Sequence, residues 1–157
     1  MTNKKNLWGE LPNPETIRTP YTILKEQASI LREITNGLLI GEVINSLKDK
    51  FFVKILRIKA PALNNYTYSV VEVQHTIKLY PVFVKDLTSD PITNATDFIQ
   101  SLTVDLKGSG FLENQGYKKY SSEEEFENAL GQILSSKGVK HAISALLAQI
   151  HADIPTP

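Results

Sequence analysis

Three histidines, His75, His141 and His151, are the side chains best suited to metal ligation or to proton transfer near neutral pH. His141 and His151 lie ten positions apart on a segment with helical periodicity. At 1.5 Å per residue that is about 15 Å along the axis, too far for two ligands of one ion. Both fall opposite the apolar stripe of that segment, as surface residues do. His75 comes late in a strand-like segment and could serve as a lone base, but no nucleophile stands beside it in the sequence. The chain has no cysteine, so a disulfide framework, a thiolate zinc site, an iron–sulfur cluster and a cysteine nucleophile are all excluded. Lys107-Gly108-Ser109-Gly110-Phe111 is glycine-bearing, but it follows a helical pattern and no Gly-Lys-Ser/Thr follows it. A phosphate cradle needs a strand, a glycine turn and a helix N-terminus in that order. The Gly-x-Ser-x-Gly elbow of serine hydrolases is absent. Glu123-Glu124-Glu125 reads as the acidic first turn of a helix. No cofactor or metal is expected, and the balance leans away from an enzyme. A catalytic site assembled from residues distant in sequence is the remaining enzymatic reading.

Two features point instead to binding. Lys48, Lys50, Lys54, Arg57 and Lys59 cluster along a strand-like run, and Tyr66 and Tyr68 follow on one side of the next. Phe51, Val53 and Ile55 point one way and Lys48, Lys50 and Lys54 the other, until Arg57 and Lys59 break the alternation. A one-residue bulge near Leu56 would return all five cations to one solvent face. Cations for phosphates beside aromatic rings for bases is how sheet surfaces hold single-stranded nucleic acid. The simpler expectation for these residues is a solvated outer face of a half-buried sheet. The second feature is the single tryptophan, Trp8, within Leu7-Trp8-Gly9-Glu10-Leu11 on a polar segment broken by Pro12 and Pro14. Residues 1–18 are read as an arm, in which Trp8 either folds back onto its own domain, the favoured expectation, or anchors a partner.

The elements that must carry these residues begin with a helix. Thr19 suits its N-cap, Pro20 its first position and Gly37 its stop. Ile23, Leu24, Ala28, Ile30, Leu31 and Ile34 share one face, with Gln27 inside the apolar arc and expected to tie the helix to a strand backbone. Four strands are expected at about 38–47, 51–60, 66–77 and 79–85, with turns at Lys48-Asp49-Lys50 and Asn64-Asn65. Pro81 marks the last as an edge. Asn94 with Asp97, and Ser122 with Glu125, fit capping boxes of two further helices. Residues 107–121 read as a loop between them. Gly138 is expected to end the helix that starts at Ser122, and a last helix follows with Val139, Ala142, Ile143, Leu146, Leu147 and Ile150 inward. The expected fold is therefore α+β: a four-stranded antiparallel meander with helices on one face, in the order α-β-β-β-β-α-α-α and in two layers.

The chain has 157 residues, enough to bury roughly 68–70 % of its unfolded surface without a disulfide or metal. Residues 19–157 are read as a single domain. Seventeen basic residues balance seventeen acidic ones, which excludes binding of nucleic acid or anionic lipid by bulk charge alone. Residues 1–85 nevertheless carry an excess of five positive charges and residues 86–157 an excess of five negative ones. No run of apolar residues is long enough to span a membrane, and no secretory signal stands at the N-terminus, so a cytoplasmic location is expected. Frequent Ile and Asn hint at a bacterial source. Together these features lead to a non-enzymatic protein-binding module of the immunity, antitoxin or adaptor kind, with an unknown protein partner and a homodimer among the expectations. The candidate contact residues are Trp8, Lys54, Arg57, Lys59, Tyr66 and Tyr68. The alternatives are a nucleic-acid-binding accessory protein or the enzyme described above.

Overall fold

The structure, a computed structural model, describes residues 4–13, 17–88, 112 and 115–153. Helix α1 runs Pro20–Ile34. The Thr19 hydroxyl accepts from the Thr22 amide at 3.1 Å, and proline fills the first position, where no amide donor is needed. At the other end Asn36 and Gly37 take left-handed backbone (φ +54° and +80°). Gly37 N–H donates to Arg32 O at 2.8 Å and Asn36 N–H to Glu33 O at 3.2 Å. These two bonds form a Schellman closure of the last turn.

Among the described residues five strands follow, paired antiparallel in sequence order: β1 Ile40–Lys48, β2 Phe51–Ala60, β3 Tyr66–His75, β4 Val82–Asp86 and β5 Lys118–Tyr120. Asp49, Asn64 and Asn65 turn the chain in left-handed backbone, which short polar side chains tolerate. The fifth strand corrects the expected loop over 107–121. Three residues, two of them lysine, are too few for a period-two signal, and it is pairing to β4 through Val82↔Tyr120, Phe83↔Lys119 and Val84↔Lys118 that makes them a strand. β4 is consequently not an edge, since β3 and β5 flank it and Pro81 stands just before its first residue. The long strand at the open edge is β1.

Helix α2, Glu123–Leu134, begins as the capping-box reading requires, with Glu125 N–H donating to Ser122 Oγ at 3.2 Å. The Glu125 carboxylate reaches back one residue further than usual, to Ser121 N–H at 2.8 Å. Gly138 does not end this helix. The break falls at Ser135 and Ser136: Ser135 Oγ donates to Gly131 O at 2.7 Å, and Ser136 Oγ accepts from Val139 N–H at 3.3 Å, so two serines finish one helix and start the next. Helix α3 runs Lys137–Asp153 with Gly138 in its first turn. The helix expected from Asn94 lies outside the described residues. Among the described residues no helix is long and apolar enough to cross a membrane.

Helices α1, α2 and α3 cover one face of the sheet. Leu56, Ile58 and Ala60 of β2, Val71 and Val73 of β3, and Val82 and Val84 of β4 meet Ile23, Leu24, Phe126, Leu130, Val139, Leu146 and Ile150 in one core. On α1 the apolar arc divides. Leu24, Ala28 and Leu31 pack into or against the core, whereas Ile34, 71 % exposed, stands beside an open groove between α1 and the α2–α3 pair, and Ile30, 44 % exposed, borders the adjoining cavity over Leu56 and Ile58. Gln27 lines that groove and makes no hydrogen bond to a strand among the described residues, so it is not the expected tie.

The contact that sets the spacing between helix and sheet is at Gly41. A Cβ there would lie 2.5 Å from Ala28 Cα and 2.6 Å from Ala28 Cβ. Backbone meets backbone, and no flexible side chain can give way. Gly41→Ala must push α1 off β1 and is expected to cost about 1–3 kcal/mol in urea unfolding, the range of an overpacked core. Gly131→Ala, where a Cβ meets nothing within 4 Å and helix propensity improves, should be neutral or stabilising.

Candidate functional site

The cations read along β2 do not share a face. β1 pairs with β2 without interruption from Ile40↔Lys59 to Lys48↔Phe51, so β2 keeps strict alternation. The register does shift opposite Leu56 and Arg57, but the extra residue is Val70 on β3. A bulge on the partner strand leaves the phase of β2 unchanged. Lys54 therefore shares the helix-covered face with Leu56 and Ile58, while Arg57 and Lys59 lie on the opposite face.

There the two cations meet Glu42 of β1. Arg57 Nε donates to Glu42 Oε2 at 2.8 Å, and Lys59 Nζ stands 3.5 Å from Oε1. The hydrogen bond from Arg57, together with the charges of Arg57 and Lys59, holds the Glu42 carboxyl below its ordinary pKa despite partial desolvation. Tyr66 and Tyr68 pair with Ala60 and Ile58 and so face the helices, away from Arg57 and Lys59. Tyr68 packs against the core, and burial pushes its phenol pKa up; Tyr66 is 53 % exposed. The two rings border a depression whose far wall is α3, near His141 and Ala145. Lys48 ends β1 and Lys50 lies in the turn, both exposed. The face opposite the helices is not uniformly solvated either. Val53, Gln74 and Tyr117 are buried on it, Gln74 Nε2 donates to Tyr117 Oη at 3.0 Å, and Phe51 meets Phe83 edge to face with centroids 6.3 Å apart.

The arm gives the opposite result to the favoured expectation. Trp8 does not fold onto its own domain: it is 87 % exposed, with Leu7 at 83 % and Leu11 at 74 %. The segment is nevertheless shaped. Asn6 closes a tight turn from both sides, its Oδ1 accepting from Trp8 N–H at 3.0 Å and its Nδ2 donating to Gly9 O at 3.2 Å. Gly9 takes φ +70°, which a side chain would strain. Three large apolar side chains are thus carried in water on a locally fixed backbone.

Behind the arm, Arg18 precedes the N-cap of α1 and pairs with three carboxylates: Glu26 of α1, and Glu123 and Glu127 of α2, the Glu123 contact being 3.0 Å. The Tyr80 hydroxyl is buried without a partner among the described residues, and burial, reinforced by Glu123 and Glu127, pushes its pKa up to about 12.

His75 is the titratable residue whose surroundings the sequence least revealed. It is 4 % exposed, stacked on Phe52 with ring centroids 5.5 Å apart, and its Nδ1 lies 2.8 Å from Thr76 O. A carbonyl only accepts, so Nδ1 carries the proton and Nε2 the lone pair. Nε2 is buried and has no partner among the described residues. Its only signal in the sequence was a histidine at the end of an apolar strand. His141 and His151 are exposed on α3, as expected. Among the described residues no group of three or more His, Asp or Glu is placed to hold a metal ion.

Burial, reinforced by the charge of Lys54 and only partly offset by the Thr76 hydrogen bond, lowers the pKa of His75 from 6.5. The unfolded chain therefore takes up the proton more readily than the native one. The corresponding stability is complete above about pH 6.5 and falls as the pH drops from there through the native pKa. Urea unfolding at pH 7.5 and 5.5 should show this loss in the wild type and a smaller one in His75→Phe. Comparison with protein-family models, with curated proteins and with solved structures finds no match to this chain.

Proposed function

We propose that the chain is a cytoplasmic, non-enzymatic protein-binding module whose anchor is the Leu7–Leu11 segment. The observation that carries this reading is the exposure of Trp8, Leu7 and Leu11 on a turn that Asn6 and Gly9 hold in shape. Each such side chain left in water forgoes about 1.5–3 kcal/mol of burial, and a partner groove recovers it. A turn already formed in the free chain lowers the ordering cost of binding. Tryptophan is also among the residues that most often dominate an interface.

The nucleic-acid alternative is less well supported. Arg57 and Lys59 are engaged by Glu42, and Tyr66 and Tyr68 lie on the other face of the sheet. Phosphate contact would require breaking the ion pairs, and base stacking would need rings on the same side.

The test is affinity capture from the native cell lysate, with and without nuclease, of the tagged wild type and of Trp8→Ala. Trp8→Ala should change stability by no more than about 0.5 kcal/mol, because the indole touches little of its own domain. One stoichiometric, nuclease-resistant protein is expected with the wild type, its recovery reduced at least about tenfold by Trp8→Ala. Sedimentation of the purified chain identifies a second copy as the partner if the wild type dimerises and Trp8→Ala does not. Equal recovery with both variants, or recovery that disappears with nuclease, contradicts the proposal.

A further inference from the structure

A second site lies at the N-terminal end of α1, independent of the arm. A cleft of about 340 Å³ opens between the first turn of that helix, Asn45 of β1, the start of β2 and the chain leaving β3. This is the lower end of the size range of small-ligand pockets, enough for a single-ring molecule. Its apolar surfaces come from Phe52, Ile77 and Leu79. Ile77 is 78 % exposed, so an isoleucine stands in water at the cleft with nothing packed on it.

Two polar groups in the cleft have no hydrogen-bond or ion-pair partner among the described residues. His75 lines it, more than nine-tenths buried, with the Nε2 lone pair unmatched by any donor among the described residues. A buried acceptor in that state calls for a ligand donor, since nearly all such groups are satisfied in folded proteins. The second is Lys54. Its ammonium stands 5.1 Å from the Tyr21 ring centroid and 5.6 Å from that of Phe52. Among the described residues it has no carboxylate within ion-pair distance. Lys25 approaches the same Tyr21 ring at 5.9 Å, and the first turn of α1 carries no acidic residue. Two ammonium groups and the helix N-terminus thus stand at the cleft, while the three glutamates around Arg18 are ion-paired with it.

We infer that this cleft binds a small aromatic acid carrying a hydroxyl group. The carboxylate meets Lys54, the ring lies against Phe52, Ile77 and Leu79, and the hydroxyl donates to His75 Nε2. A neutral molecule would leave the ammonium unmatched, and an acid without a donor would leave Nε2 as it is. The requirement for both groups gives the site its selectivity.

The probes are 3-hydroxybenzoate, 4-hydroxybenzoate and benzoate, titrated into the full chain by calorimetry and by NMR of the His75 ring nitrogens. At least one hydroxybenzoate should bind one to one, displace the Nε2 resonance, and bind about tenfold more tightly than benzoate, the value of one well-placed hydrogen bond. Lys54→Met should weaken that binding by about tenfold or more. His75→Phe keeps an aromatic ring on Phe52 and should abolish the preference over benzoate. The absence of saturable binding overturns the proposal, as do equal affinities of the three acids for the wild type or shifts confined to residues outside the cleft. The comparison among acids on the wild type holds even if a variant fails to fold. Because the cleft and the arm are separate, Trp8→Ala should leave these affinities unchanged.

Discussion

Helix α1 lies so close to β1 that the position beneath Ala28 must be glycine. This approach of Gly41 to Ala28 determines how deep α1 sits, and with it which helix residues reach the core. Leu24 is fully buried at that depth, and Ile23 reaches the core on the side toward α2. The closeness also fixes where the helix ends. The N-terminus of α1 is pinned by the Thr19 cap and by the Arg18 pairs to Glu26, Glu123 and Glu127, and its first turn borders the cleft at Lys54 and His75. The position of the cleft thus follows from one tight helix–strand contact and the cap that registers it.

A second constraint divides the charges of the sheet. The irregularity opposite Leu56 and Arg57 falls on β3, at Val70, and β2 continues in phase. Lys54 is thereby held on the helix side, over aromatic rings, while Arg57 and Lys59 are held on the other, against Glu42. Five cations adjacent in sequence consequently serve different local purposes, and no continuous basic track forms. Had the extra residue been on β2, the nucleic-acid reading would have gained its surface.

Much of this architecture was legible in the residues. The Thr19-Pro20 start of α1, the Asn and Asp turns, the Ser122 cap and the inward stripe of α3 each rest on local chemistry, and each is found. The α+β class, the antiparallel order and the helices on one face follow from those elements. What escaped depends on contacts between distant segments. Lys118–Tyr120 is a strand because β4 offers it hydrogen bonds, and the strand that carries a bulge cannot be told from the alternation of its partner. Ile34 shows helical periodicity but stands where α2 and α3 leave a groove open. The arm was misjudged for a related reason. Burying Trp8 requires a receptive surface within reach, and composition does not reveal whether one exists. Of the candidate contact residues, Trp8 gained weight by its exposure, Lys54 by its place in the cleft, and the pairs Arg57/Lys59 and Tyr66/Tyr68 were separated.

The central claim, that the arm is the contact surface for another protein, is tested most directly by site-specific photo-cross-linking in the native cell. A photoreactive residue at Glu10, which is exposed beside Trp8, is compared with one at Lys59 on the opposite face of the sheet. The account predicts a discrete protein adduct from position 10 and none from position 59. Adducts from position 59 alone, or nucleic acid as the product at either position, would contradict it.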